Sequence, residues 1–316
     1  MGTWSTIGEF TEDPYRIEFD EPVRSLRLAA IAGKVNIVGS DGPPSIEVAR
    51  ATEQPVRITL EGGELVVKHG EDRRPGVLNW LCGGRRMTAE LSLAVPPDCL
   101  VDARLVSGPL TVSNFHERVE IKGVSGDVTL AEVHGRARVG TVSGAVTVEQ
   151  VTGDLSVKAA SGEITVLGGT GGTIDVSAIS GAIMIDLEDP VPSSVKLHCI
   201  SGAIKVRLPH EPDVDVDLVT SNGRVASAFD EVGVLNGHGT SGVRRLSGRI
   251  GSGEARLYGK TVSGSVTLLR RGPMEDSAEP EDAVPEPDNP DNTAPGDIRD
   301  QVPDNQNDDD NNEDAR

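Results

Sequence analysis

A Ser-Gly pair returns along the middle of this chain with a period that few folds accept. It stands at Ser107-Gly108, Ser125-Gly126, Ser143-Gly144, Ser161-Gly162, Ser180-Gly181, Ser201-Gly202 and Ser263-Gly264, and the first spacings are 18, 18, 18, 19 and 21 residues. Ser221-Asn222-Gly223 is a variant of the same signal. Such a unit is too short for a strand-helix-strand crossover, which needs about 30 residues. It suits one coil of a solenoid, whose stacked repeats supply each other's backbone partners and core walls.

Alignment on the serine brings out apolar columns. One residue before it stand Val106, Val124, Val142, Ala160, Ile179, Ile200 and Val262. Three after it stand Leu110, Val128, Val146, Ile164, Ile183, Ile204 and Val266, and five after it Val112, Leu130, Val148, Val166, Ile185, Val206 and Leu268. Two more columns lie four and six residues before it, with Val139 and Val157 in one and Val119 and Leu155 in the other. Alternation with period two describes a strand with one buried face. Each unit reads as strand, corner, strand, with about six apolar side chains per coil expected to face inward and glycine supplying a positive φ at the corner. The expected fold is all-β: a β-solenoid of 18–21-residue Ser-Gly repeats over 99–271, continuous with an N-terminal β region and cap over 1–98.

The N-terminal part follows the pattern more loosely. Leu26, Leu28, Ile31, Val35 and Ile37 fit the columns if Ala32-Gly33 replaces Ser-Gly, and further strands read at 46–48, 56–60, 65–67 and 87–95. Between the last two lies an insert, Val77 to Arg86, apolar and then basic. It reads as part of a cap over the open end of the solenoid. The rival reading makes Trp80 and Leu81 an exposed patch that anchors a protein partner. The glycine-rich stretch 229–250 reads as a loop before the last coil.

The formal charge is −20, from 50 acids and 30 bases. Residues 273–316 hold sixteen of those acids and two bases, seven prolines and no aromatic residue, so 272–316 reads as a disordered acidic tail. The bulk charge, and the lack of a visible basic stripe in the repeats, argue against a nucleic-acid partner. No run approaches 18 apolar residues, so no membrane span is expected. The start of the chain lacks the basic and apolar regions of an export signal, which points to the cytoplasm and to reduced thiols at Cys82, Cys99 and Cys199.

Sites of chemistry are scarce. Residues 237–242 match G-x-G-x-x-G, but no helical pattern follows, as a dinucleotide fingerprint requires. His116 and His134 fall one coil apart in one column, without ligands enough to suggest a metal site. Thr111, Thr129, Thr147, Thr165 and Thr267 form an outward threonine column, read as cross-strand stacking. No catalytic, metal or cofactor site is expected.

Runs such as Val124-Ser125-Gly126-Asp127-Val128-Thr129-Leu130 and Thr261 to Arg271 resemble a bacterial β-strand-repeat family, common in actinobacteria, that carries the label "putative adhesin". Ala89 to Pro96 resembles that family's strand ending in Val-Pro before its repeats. The resemblance spans about residues 20–271 and implies a repetitive β fold, surface exposure and no catalytic residues. The expected function is a non-enzymatic scaffold or interaction protein without cofactors. It would bind an unknown protein partner or associate with itself end to end or through strand edges. The alternatives are a surface adhesin exported by an unrecognised route and a carbohydrate-directed β-helix enzyme.

Overall fold

The structure, a computed structural model, describes residues 14–52, 55–70, 88–236 and 242–272. Trp80 and Leu81, Cys82, residues 237–241 of the glycine motif and the acidic segment from Pro273 lie outside the described residues. What is described is all β, without a helix, and belongs to one compact unit, Met1–Pro273.

The first strands are β1 (Tyr15–Glu18), β2 (Ser25–Gly39), β3 (Ser45–Ala51), β4 (Arg57–Glu61), β5 (Glu64–His69) and β6 (Ala89–Val95). The repeats give β7 (Leu100–Ser107), β8 (Leu110–Phe115), β9 (Val119–Ser125), β10 (Val128–Val133), β11 (Ala137–Thr141) and β12 (Val146–Val151). They continue as β13 (Leu155–Ser161), β14 (Ile164–Gly169), β15 (Thr173–Ser180), β16 (Ile183–Leu187), β17 (Ser194–Ser201) and β18 (Ile204–Leu208). The last are β19 (Val214–Asn222), β20 (Val225–Ser227), β21 (Gly233–Asn236), β22 (Arg244–Ile250), β23 (Ala255–Ser263) and β24 (Val266–Arg270).

Each coil is one strand before the Ser-Gly corner and one after it, so the solenoid has two faces. The strands before the corner form sheet B, in the parallel order β5-β2-β7-β9-β11-β13-β15-β17-β23-β19. Those after it form sheet A, in the parallel order β6-β2-β8-β10-β12-β14-β16-β18-β24-β20. The single long strand β2 serves both sheets by turning at Ala32-Gly33, which stacks on Ser107 as the sequence pattern requires.

The register is that of the repeat: Val128 pairs with Leu110 and Val146, Val139 with Ile121 and Val157. Like side chains therefore stack on like, and the core between the sheets is a set of aliphatic columns, with Phe115, beside Val133, the one phenylalanine among its largest fully buried side chains. Glycine at the corner is demanded twice over. Gly126 and Gly144 have φ of +131° and +112°, and a Cβ on Gly144 would collide with the carbonyl oxygen of Gly126 in the next coil.

The ends depart from sequence order. The final coil in the sequence, β23-β24, slides between β17-β18 and β19-β20 rather than lying at the end. The stretch expected to loop out before it instead builds strands: β22 pairs antiparallel with β19, and β21 with β22. This corrects the loop assignment, and the reason is physical. The outer edge of β19 carries unpaired backbone groups that a solenoid end must cover. At the other end β3 adds antiparallel to β6 and β1 to β3, and β4 adds antiparallel to β5.

Candidate functional site

The column before each serine does not belong to the core. Val106, Val142, Ile179, Ile200 and Val262 are 47%, 53%, 56%, 55% and 43% exposed, and Ile31 and Val124 continue the same line. The expectation that the apolar columns all face inward is thus corrected here, and strand parity explains it. Positions six, four and two before the serine point inward, so positions five, three and one must point outward. The sixth inward position of the coil is the one two before the serine: Ala30, Leu105, Gly123, Thr141, Ala159, Ala178, Cys199 and Thr261. Several of these are small polar groups that face the corner. Thr261 Oγ1 donates to the Gly202 carbonyl at 3.1 Å, and Thr220 Oγ1 to that of Gly264 at 2.8 Å.

The column three before the serine is basic for much of its length: Arg104, Lys122, Lys158, His198 and Lys260, with Gly140 and Ser177 between. A basic stripe is therefore present on sheet B, contrary to the expectation from sequence. The chain does not display it as a run, because its members are 18 to 62 residues apart and the coil order differs from the chain order.

Between the apolar ridge and the basic column runs a groove along the solenoid axis. Its larger part, about 540 Å³, is lined by Ala159, Ala178, Ile179, Cys199, Ile200 and Val262, with Lys158, His198 and Lys260 on its rim. A smaller part, about 320 Å³, lies toward the N-terminal end beside Ile31, Val106, Val124, Arg104 and Lys122. The two parts differ in charge. Arg104 is held by Asp102 at 3.0 Å and Lys122 by Glu120 at 2.7 Å. No ion pair joins Lys158 or Lys260 among the described residues, because Ser156 and Tyr258 occupy the places where Asp102 and Glu120 stand in the earlier coils. His198 lies tilted at 57° against Tyr258, with ring centroids 5.6 Å apart. Burial raises the Cys199 thiol, whose Sγ lies in the groove floor and donates to the Gly181 carbonyl at 3.5 Å.

The histidine and threonine columns singled out from sequence are brought into register by the stacked coils. His116 and His134 are neighbours, with ring centroids 5.4 Å apart and planes tilted by 53°; His116 meets Asp98 at 3.1 Å, and His134 the hydroxyl of Thr152 at 3.1 Å. Among the described residues no group of three or more His, Cys, Asp or Glu could hold a metal. Thr111, Thr129, Thr147 and Thr165 stack in register on the outer face of sheet A. No described helix is long and apolar enough to cross a membrane.

One buried ion network was not anticipated. Asp186, almost fully buried on sheet A, receives hydrogen bonds from Arg207 and from Arg271 (2.8 Å), and Arg271 also reaches Glu188 at 3.3 Å. Burial alone would raise the Asp186 carboxyl, but the two guanidiniums outweigh it and hold it below the usual carboxylate range.

Fold and groove together define a two-sheet parallel β-solenoid that offers an apolar, cation-edged outer face. Residues 44–269 match the family described as Toastrack DUF4097, and the chain belongs to that family. Among solved structures it is similar to a "putative adhesin" from Bacteroides fragilis, at 11% identity over 82% of this chain and 98% of that one, with a TM-score of 0.47. It is also similar to a "putative lipid binding protein" from Parabacteroides distasonis, at 15% identity, 82% and 97% coverage and a TM-score of 0.44. A "putative adhesin" from the same species gives 13% identity, 84% and 98% coverage and a TM-score of 0.33. Those labels describe those proteins. A search of curated proteins gives no match.

Proposed function

We propose that this chain is a non-enzymatic interaction protein that binds through the outer groove of sheet B and works in the cytoplasm. The observation that carries this is the ridge of exposed β-branched side chains from Ile31 to Val262. Scattered apolar residues on a surface are ordinary, whereas a contiguous apolar line beside a groove marks an interaction surface. The groove presents mostly alkyl and ammonium groups, with His198 on its rim, a lining suited to holding a ligand. The solenoid supports it rigidly, since each coil's backbone is bonded on both sides. Two buried free thiols, Cys99 and Cys199, suit a reducing compartment.

The test compares the native protein with a Val142→Lys/Ile179→Lys/Ile200→Lys variant expressed in the native cell. Proteins and extracted lipids recovered with each are identified by mass spectrometry. A component retained by the parent and lost by the folded variant supports the reading. Identical recovery contradicts it. Fractionation of the same cells checks the compartment, and a protein found wholly outside the cytoplasm overturns that part.

A further inference from the structure

We infer that the larger part of the groove binds a single anionic amphiphile, an acyl chain of a dozen or more carbons bearing a carboxylate. This rests on the groove being a binding face, and it names the occupant. Three properties of the groove select it. The first is width. Its walls are side chains two residues apart on a strand, so their Cα atoms are separated by about 6.6 Å. A helix with its side chains is about 10–12 Å across and cannot enter. The second is the floor. The backbone groups of β11, β13, β15, β17 and β23 are committed to neighbouring strands. An extended peptide laid across them would leave its own amides without partners against alkyl groups, at a cost a hydrocarbon chain does not incur. The third is length and charge. The groove runs from Thr141 to Val262 across five adjacent strands, four steps of about 4.8 Å or about 19 Å in all. That exceeds the roughly 15 Å that one leaflet fills in a bilayer core of about 30 Å. Its volume of about 540 Å³ is that of a small-ligand site.

The cations settle the headgroup. Lys158 near one end and Lys260 beside His198 at the other have no ion-pair partner among the described residues, unlike Arg104 and Lys122 in the smaller part. An anion at either end would gain a charge-assisted hydrogen bond, and the alkyl chain would cover Ile179, Ile200 and Val262. The lysine stems add to the apolar wall while their ammonium groups stay in water.

Equilibrium dialysis of the full chain against radiolabelled hexadecanoate, hexadecanol and octanoate tests this, with flotation on phosphatidylglycerol vesicles as a separate arm. The expected result is saturable one-to-one binding of hexadecanoate and much weaker binding of octanoate. Lys158→Glu/Lys260→Glu should weaken hexadecanoate by at least about tenfold, the worth of one charge-assisted contact, and leave hexadecanol within about twofold. Ile179→Ser/Ile200→Ser should weaken both. No saturable hexadecanoate binding overturns the inference, as does binding that both variants leave unchanged. Flotation with vesicles but no monomer binding also overturns it, since the occupant is then a membrane surface. A protein captured through the groove by a chain that ignores hexadecanoate overturns the amphiphile and leaves the interaction reading standing. Groove variants that alter neither capture nor dialysis overturn both.

Discussion

Three single residues show how narrowly the coil is specified. Gly144 combines φ of +112° with a corner that stacks on the next glycine's carbonyl. Gly144→Ala should therefore cost about 2–4 kcal/mol by denaturant titration, since it adds both backbone strain and a backbone collision. A cost within about 0.5 kcal/mol would mean that the corners are loose. Gln150 is the opposite case. It is a non-glycine residue at φ +51°, in line with Asn114 and Glu132 at +61° and +53°, where the second strand of each coil kinks so that Phe115, Val133 and Val151 turn inward. Gln150→Gly should stabilise by up to about 1 kcal/mol, because the left-handed conformation is then free of side-chain strain.

Asp186 is the third. Its carboxyl is lower in the folded chain than in the unfolded one, so its contribution is complete above the unfolded value of about 3.9 and is lost as the pH falls through the depressed native value. Melting temperature should thus fall from pH 5 to pH 2, and Asp186→Asn should flatten that slope while lowering stability at pH 7. An unchanged slope would place the acid sensitivity elsewhere. Burial also pushes the Cys99 thiol up to about 12, so alkylation of the native protein at pH 8 should leave Cys99 unmodified.

At the scale of the element, the repeat columns were open to direct reading, and strand ends were not. Ser-Gly spacing is enough to place β7 to β18, because an 18-residue period with two alternating strands has one simple stacking. Nothing local announces that β23-β24 enters between two earlier coils, since Val266 and Leu268 fit any neighbour with the same columns. Nor does 229–250 read as sheet: Leu246 and Ile250 are its few regular apolar residues, and their partners on β19 are some thirty residues away. The parity of the exposed column was legible. Val139 and Val142 are three apart, and a strand cannot bury both on one face. Replacement of 233–250 by a short Gly-Ser linker should bare the edge of β19 and give larger oligomers than the parent in light scattering. An unchanged mass would show that β21 and β22 are not the cap.

For the whole molecule, stability is a sum over coils and their interfaces. Deletion of 126–143, one period of 18, preserves every column and should give a folded, less stable chain. Deletion of 17 residues shifts one strand by a register step, sends its inward residues outward and should abolish the cooperative transition. The same periodicity is why the groove could not be read in the sequence as a site. Its floor, ridge and rim are one residue each per coil, and only the stacking brings Lys158, Ile179, Ile200 and Lys260 to one surface.

The central claim is that the apolar residue before each serine stands on the surface of sheet B and not in the core. Val142→Ser and Val148→Ser make the same chemical change in the same coil on opposite faces. Chemical denaturation of the two variants should show a loss of about 2–4 kcal/mol for Val148→Ser and less than about 0.5 kcal/mol for Val142→Ser. Equal losses would put Val142 in the core and contradict the account.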